Sequence, residues 1–384
     1  MTRPLTERNA AGETHSHKRF GSGWISGVLS IALGAIGLGT VICFLFPTIL
    51  TVPELRGRYP VTYIRGILHF VLVSAFLLGV ISVCLWKQKR MGMTGIALVL
   101  AAALLGGSNV PIGKNPDKGL FLGLDWFLLN LILYSAAFVP LERMFALRPE
   151  QPILRKEWRT DLMYFFISSL LLQVTTILTM EPSMVFFDWA ANERVRSWVR
   201  AWPFVAQFAA ILVVTDFTQY WVHRAFHRVP MLWRFHAVHH SIETMDWLAG
   251  SRLHLFDVAV TRGLTYIPIY ILGFSEKALF VYIVFVSLQA TFIHSNVRFT
   301  FGPARWILAT PQFHHWHHGA EREAIDKNFA VHLPVLDFLF GTFHLPKNHW
   351  PDSYGIGGGA PVPQGFIRQT IYPFSLRARD EKTD

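Results

Sequence analysis

The chain has 384 residues, of which 52% are hydrophobic and 16% charged, and its formal net charge at pH 7 is +10. Its mean hydropathy of +0.34 is high for a soluble protein of this size, and the apolar residues form blocks long enough to cross a bilayer. The basic residues gather at the ends of these blocks, as in Lys87–Arg90, where the positive-inside rule places them. The composition excludes an ordinary soluble enzyme and argues against nucleic-acid binding.

The N-terminal part of the chain is predicted to be a membrane module that serves lipid access, partner docking or anchoring. Residues 1–22 are polar and lack the short apolar core of a cleavable signal peptide, so they are predicted to be a cytosolic N-terminus. The following module, residues 23–150, holds no histidine cluster. Its four predicted spans are 24–50, 64–86, 93–113 and 119–141.

The second part of the chain holds every histidine cluster. A proline-rich, charged linker at 147–152 marks the boundary, after which 151–345 is predicted as the functional domain and 346–384 as a C-terminal tail. Segment 183–202 mixes aromatic, acidic and basic residues and is predicted to be an interfacial amphipathic helix. The spans predicted here are 161–180, 203–222 and an apolar pair at 258–273 and 277–293. The predicted fold is therefore an all-α, polytopic membrane protein.

Counting spans from a cytosolic N-terminus brings the histidine clusters to one side of the membrane. The basic loops at 87–90 and 143–159 then fall inside. If the apolar pair forms a hairpin, the last cluster and the tail return to the same cytosolic side. We expect a bacterial inner membrane, with the endoplasmic reticulum as the alternative.

Three histidine clusters are the most informative feature of the sequence. They are one HxxxH and two HxxHH patterns, and residues at i, i+3 and i+4 share a helix face. Their imidazoles are too many for one metal ion and suit two ions of iron, zinc or copper. His294, at the end of the last apolar block, is a ninth candidate, whereas His315 points off the shared face. The cluster ligands predicted are His223, His227, His236, His239, His240, His314, His317 and His318.

Four further residues are candidates for supporting the metal ligands or the substrate. Asp216 and Tyr220 form one helical stripe with His223 and His227. A carboxylate inside the bilayer is costly and marks a functional site, so Asp216 either orients an imidazole or is hydrogen-bonded to a neighbouring helix. The other two candidates are Asn296 and His254, and His254 is a ligand, a supporting group or a surface residue.

The residues alone leave several kinds of metal chemistry open. Oxidation of an unreactive substrate needs a redox metal and a dry apolar surrounding, which these spans supply. A zinc-dependent membrane hydrolase needs a general-base carboxylate, and no HExxH motif is present. A metal transporter or sensor should carry ionisable ligands along its spans, where the sequence offers only Asp125, Asp216 and His69.

Three stretches of the chain resemble the fatty acid hydroxylase/sterol desaturase superfamily of membrane di-iron oxygenases. They are 216–227, 232–241 and 309–319, each containing one histidine cluster. Asp326–Phe329 and Phe340–Phe343 resemble the family's ending and also the alkylglycerol monooxygenase branch, which uses a reduced pterin. The resemblance covers about 155–345.

The resemblance implies a fold, a chemistry and a ligand set. It implies a four-helix membrane stem beneath a cytosolic cap that holds two iron ions through the nine histidines, with no other catalytic residue. It implies O2-dependent hydroxylation or desaturation of a membrane lipid, which is a sterol, a fatty-acyl lipid or an ether lipid. Electrons would come from a separate redox protein or a reduced pterin. The oligomeric state stays open.

Overall fold

The computed structural model describes residues 23–56, 58, 60–85, 89–113, 120–347, 349–357 and 362–375. These residues form helices and, within the ranges described, no strand, with two isolated β-bridges at Ala146–Val297 and Gly319–Tyr354. The all-α prediction is confirmed. The predicted cytosolic segment 1–22 lies outside the described residues. The chain divides into two compact units, Met1–Gly119 and Leu120–Asp384.

The first unit is a small bundle of apolar helices. Its close packing uses small residues, as is common between helices in membranes: the Ser30 hydroxyl of the first helix donates to the Ala75 carbonyl at 2.7 Å. The first helix ends at Leu45, before the predicted bound at 50, because Phe46 precedes Pro47 and such residues leave the helical region. The helices are α1 (Trp24–Leu45), α2 (Pro47–Leu50), α3 (Pro53–Arg56), α4 (Val61–Leu85) and α5 (Arg90–Leu104).

The second unit contains the remaining helices and all the predicted ligands. In chain order they are α6 (Leu124–Met144), α7 (Trp158–Leu170), α8 (Leu172–Phe187), α9 (Glu193–Arg200), α10 (Phe204–Arg228), α11 (Pro230–His240), α12 (Leu255–Leu272), α13 (Glu276–His294), α14 (Pro311–His317), α15 (Val335–Leu339) and α16 (Phe366–Ile371).

Seven helices are long and apolar enough to cross a membrane, and one bent pair brings the number to eight. The seven are α1, α4, α6, α10, α12, α13 and the segment Arg90–Asn109, which contains α5. The protein is therefore an integral membrane protein with many spans, as the sequence predicts.

The predicted span 161–180 is bent: α7 and α8 are together long and apolar enough to cross a membrane, but they meet at an angle of 60°. The Thr175 hydroxyl donates to the carbonyls of Leu171 and Leu172 at 3.0 and 2.9 Å, and such back-bonding bends helices. The Leu170 carbonyl, beside the break, accepts the Gly123 N–H at 3.2 Å. In the predicted interfacial segment 183–202, α8 continues to Phe187, and the short helix α9 follows.

The fourth predicted span lies in the second unit. The compact units divide at Gly119, so α6 falls on the far side of the division from α1, α4 and α5. Phe127 and Phe138 of α6 pack in one apolar cluster with Phe165 of α7 and Trp247. The division of the chain into 23–150 and 151–345 by function stays a prediction.

Candidate metal centre

The nine predicted histidines converge in two groups of buried imidazoles. Within each group the candidate ligand nitrogens all lie within 4.8 Å of one another. Group one comprises His223, His227, His236, His240 and His317, and group two comprises His239, His294, His314 and His318.

Helix geometry divides each HxxHH cluster between the two groups. On α11, His236 and His240 are four residues apart and both join group one, whereas His239 joins group two. Helix α14 divides its histidines in the same way, with only His317 in group one. His294, the last residue of α13, completes group two. Because α10 continues to Arg228, beyond the predicted bound at 222, both histidines of the first cluster lie on one helix.

Backbone carbonyls of the segment 326–329 hold two imidazoles of group one. His223 donates from Nδ1 to the Phe329 carbonyl at 2.7 Å. His317 donates from Nδ1 to the Lys327 carbonyl at 2.8 Å. A proton on Nδ1 leaves the lone pair on Nε2, which is the atom that faces the group.

Carboxylates hold two more imidazoles of group one. The Asp257 carboxylate accepts from His236 Nδ1 at 2.6 Å, and Asp326 lies 3.4 Å from His227 Nδ1. Such partners fix the orientation of a ligating imidazole and raise its basicity. Asp257 was not among the residues predicted from the sequence, although a carboxylate at the start of an apolar helix is a signal that could have indicated it.

Group two is held by carbonyls from a different part of the fold. His239 donates from Nδ1 to the Arg252 carbonyl at 3.0 Å, and His294 donates from Nδ1 to the Ala290 carbonyl at 2.7 Å. Arg252 is itself fixed, because its guanidinium donates to Asp161 at 2.5 Å and to Glu157 at 2.9 Å.

The chemistry of the donor set fits bound metal ions. His223 Nε2 and His236 Nε2 are 3.0 Å apart, and His239 Nε2 and His294 Nε2 are 3.3 Å apart. In all four rings the Nδ1 atom has its own acceptor, so each pair brings two lone pairs together. Two acceptors at that separation repel unless a cation lies between them, and neutral imidazole is a common metal ligand.

The electrostatics of the site keep the imidazoles neutral. Burial, followed by repulsion between neighbouring histidines, lowers the pKa of these side chains well below the usual value. They therefore stay in the form that binds metal at neutral pH. The histidines outside the spans that show this shift are His239, His240, His314, His317 and His318.

Asp216 touches none of the imidazoles and instead binds the backbone that follows the segment 326–329. Its carboxylate accepts the N–H groups of Val331, His332 and Leu333 at 2.9, 3.1 and 2.6 Å. The hydrogen-bond partner of Asp216 is therefore a loop, and the proposed role of this residue beside the metal ligands stays a prediction.

Asp337, which the sequence analysis also missed, binds the preceding residues of the same loop. It accepts the N–H groups of Phe329 and Ala330 at 2.7 and 2.8 Å and the Thr342 hydroxyl at 2.6 Å. Burial raises the pKa of Asp337 to about 6 although these donors lower it, so the carboxylate is ionised at pH 7. Tyr220 joins the same assembly, with its hydroxyl 2.9 Å from Thr342 Oγ1.

The other two predicted supporting residues have structural partners. Asn296 pairs its amide with the backbone N–H and carbonyl of Arg148 at 2.9 and 3.1 Å, which ties the linker to the end of α13. His254 accepts the Phe256 N–H at 3.1 Å and so caps α12, while its Nε2 donates to the Thr370 carbonyl at 3.1 Å. His315 lies outside both groups, as predicted, and bonds Ser295 and Tyr354.

A family model matches the part of the chain that carries the site, and several known proteins are similar to the chain. Residues 208–342 match the family model for fatty acid hydroxylase. The ornithine lipid hydroxylase OlsE of Rhizobium tropici is 36% identical over 188 residues, which are 48% of this chain and 55% of that protein. Human alkylglycerol monooxygenase is 34% identical over 146 residues, 38% of this chain and 32% of that protein.

A third relative extends the comparison. The fatty acid hydroxylase vlmA of Lecanicillium is 31% identical over 165 residues, 37% of this chain and 43% of that protein. The chain thus spans about half the length of the first of these relatives and about a third of the second. No solved structure matches the chain. All nine histidines fall within residues 208–342, so the site lies in the part of the chain that is similar to the fatty acid hydroxylase family.

Proposed function

We propose that this protein is an oxidoreductase that uses dioxygen to hydroxylate or desaturate a membrane lipid, with two iron ions held by the nine histidines. The observation that carries the proposal is the convergence of ligand nitrogens from nine histidines in two buried groups. Five of these histidines have an Nδ1 acceptor elsewhere: His223, His236, His239, His294 and His317. The names of the relatives, an ornithine lipid hydroxylase and an alkylglycerol monooxygenase, support a lipid substrate. A sterol, a fatty-acyl lipid and an ether lipid are the classes we consider.

Each group would hold one ion. Iron supplies redox activation of dioxygen when bound. The protein's own contribution is to keep the imidazoles neutral by burial, to fix their orientation through the Nδ1 acceptors, and to exclude water from the site. Every histidine of both groups is at most 8% exposed, which favours chemistry that must avoid side reactions with solvent.

We place the site on the cytosolic face of a membrane, by preference the bacterial inner membrane, because the basic loops follow the positive-inside rule. Electrons would come from an external donor, either a redox protein or a reduced pterin. Residues 151–345 would form the oxidising domain and 23–150 a membrane module of unassigned role.

The contacts of nearby carboxylates disfavour a zinc hydrolase. Asp246, close to the second cluster, is buried and bound by Arg155 at 2.8 Å. Glu243 is 65% exposed and pairs with Lys156 at the surface. Neither carboxylate is placed as a free general base. A transporter is disfavoured because Asp216, the buried acid of α10, is already bound by three backbone N–H groups.

The first experiment is metal analysis of the detergent-purified protein by elemental mass spectrometry. We expect two irons per chain, with His240→Ala losing iron from group one and His239→Ala from group two. The matched control is His349→Ala, because His349 is exposed and belongs to neither group. Stoichiometric zinc that persists after iron-supplemented expression would overturn the proposal.

A lipid readout completes the test. The host membrane is extracted after growth under isotopically labelled dioxygen, with and without the protein. We expect a lipid that gains labelled oxygen, or loses two hydrogens, only when the wild-type protein is present. An unchanged lipid extract alongside a fully iron-loaded protein would contradict lipid oxidation in that membrane.

A further inference from the structure

Arg262 is a cation on the inner face of a membrane-spanning helix. It lies seven residues after the start of α12 at Leu255, about 10 Å along the helix axis. Val258 and Ile269, four residues before it and seven after it, are both only 8% exposed, and residues at these spacings share a helix face. Arg262 therefore points toward the interior of the second unit, away from the exposed side that carries Leu264.

Arg262 nevertheless keeps accessible surface. The residue is exposed, although Ile269 on the same face packs in an apolar cluster with Ile211 of α10. A tightly packed side chain would not be accessible. Together the two observations indicate that Arg262 borders an opening where α12 faces α10.

The Arg262 guanidinium lacks a protein counter-ion among the residues that the structure describes. The other charged residue of α12, Asp257, is already bound to His236 at 2.6 Å and to the Thr261 hydroxyl at 3.1 Å. No described carboxylate forms an ion pair with Arg262. A charge at this depth in a membrane protein is costly and marks a functional site by default.

A second polar side chain lies at the same depth on α10. Gln219 precedes His223 by four residues, so it lies one helical turn below the histidine groups. Leu212, seven residues earlier and on the same face, belongs to the apolar cluster that contains Ile269 of α12. The Gln219 side chain is half-buried and has no hydrogen-bond partner among the described residues. Gln219 and Arg262 therefore border the opening from two facing helices.

We propose that Arg262, assisted by Gln219, binds the oxyanion of a lipid head group, a carboxylate or a phosphate. A guanidinium matches both groups through two parallel hydrogen bonds. Asp257, which contacts His236, lies five residues before Arg262, about 7.5 Å along the helix axis. An oxyanion at Arg262 thus places the head-group end of the lipid beneath group one. The inference rests on the proposed function, since it names the lipid class that would be oxidised.

The test measures lipid retention by the full-length, metal-loaded protein in native mass spectrometry. The probes are oleic acid for a carboxylate, phosphatidylglycerol for a phosphate, and diacylglycerol, which has neither. The variants are Arg262→Gln, Arg262→Lys and the control Arg159→Gln. Arg159 is exposed in the first turn of α7, where its guanidinium lies over the Trp158 ring at 5.5 Å, so it reports unspecific attraction of anionic lipids.

We expect the wild-type protein to retain at least one anionic probe in preference to diacylglycerol. Arg262→Gln should weaken that retention about tenfold or more. Arg262→Lys should weaken it by a smaller factor, because an ammonium keeps the charge but not the two parallel hydrogen bonds, whereas Arg159→Gln should stay within a few-fold of wild type. Whichever anionic probe is retained identifies the oxyanion. Equal retention by wild type and Arg262→Gln, or retention of diacylglycerol as strong as that of the anionic lipids, would overturn the inference. Metal content is measured on the same samples, so a failure of the iron proposal is seen separately.

Discussion

Arg155 and Lys156 are neighbours in the sequence with opposite surroundings. The Arg155 side chain is 3% exposed and donates to Asp161 at 2.6 Å and to Asp246 at 2.8 Å. Burial alone would lower its pKa, but the carboxylates of Asp246 and Asp161 raise it, so the guanidinium stays charged. Lys156 is 62% exposed and pairs with Glu243 at 3.2 Å. Comparing variants of the two residues therefore separates the contribution of a buried charge network to stability from that of a surface ion pair.

Replacing Arg155 by Met should destabilise the protein strongly, because it leaves the buried Asp246 without its cation and Asp161 with Arg252 alone. The expected loss is about 3–5 kcal/mol of unfolding free energy, whereas Lys156→Met should cost at most about 1 kcal/mol. Thermal unfolding of both variants in detergent measures the difference. Asp161 also binds Arg252, and the Arg252 carbonyl accepts from His239 of group two. Arg155→Met should therefore weaken metal binding by group two as well. Equal melting temperatures for the two variants would contradict this account.

At the residue level, the histidines could be predicted and their partners could not. The i, i+3 and i+4 spacing of the clusters is a local signal, since it places side chains on one helix face. The pairing of His236 with Asp257 joins residues 21 apart across a turn between helices. The carbonyls of Lys327 and Phe329 carry no side-chain signal at all, because any residue supplies a carbonyl.

At the level of elements, the loop 326–333 links two buried carboxylates to group one. Asp216 and Asp337 together accept five backbone N–H groups of residues 329–333. The carbonyl of Phe329, on the same loop, accepts from His223 Nδ1, and Asp326 lies beside His227. Group two takes its Nδ1 acceptors from Arg252 and Ala290. The two groups share helices α11 and α14, but their Nδ1 acceptors come from different elements.

Because of this difference, we expect Asp337→Asn to weaken metal binding by group one and not by group two. The asparagine amide brings an N–H donor against backbone N–H groups, which leaves at least one buried donor unpaired at a cost of about 1–3 kcal/mol. We expect iron to fall from two per chain toward one, with the remaining iron lost only when His239→Ala is added. Asp352→Asn is the control, because Asp352 is exposed. Loss of both irons in equal measure would show that the loop supports the whole site.

Helix boundaries divide into those that sequence predicts and those that packing decides. The start of α11 at Pro230 and of α14 at Pro311 follows the preference of proline for the first helical turn. The bend between α7 and α8 was missed, because an apolar block with scattered threonines is typical of a straight span. The contacts at the bend are the hydrogen bond from the Thr175 hydroxyl to the Leu171 carbonyl and the one from the Gly123 N–H to the Leu170 carbonyl. Gly123 lies in a loop distant in the sequence.

At the scale of the whole molecule, the candidate site belongs to the second unit alone. Both histidine groups, their Nδ1 acceptors and the carboxylates that hold the loop 326–333 all follow Leu120. Helix α6 contributes as well: the Glu142 carboxylate accepts the N–H groups of Trp247 and Asn296 at 2.7 and 3.0 Å. Trp247 follows α11, which carries His239, and Asn296 follows α13, which carries His294. The functional boundary predicted near 150 would remove this support, whereas the compact boundary at 119 keeps it.

Two deletions distinguish the boundaries. A protein lacking residues 1–119 should keep its full metal content, because no described ligand or ligand partner is lost. A protein lacking residues 1–150 should lose metal or fail to fold, since it leaves the N–H groups of Trp247 and Asn296 buried without the Glu142 carboxylate. Metal content and size-exclusion profile of the two proteins, purified in the same detergent, provide the comparison. If the shorter deletion lost its metal, the first unit would have to act on the site. If both deletions kept it, α6 would be dispensable and the boundary at 150 would be the better description of the domain.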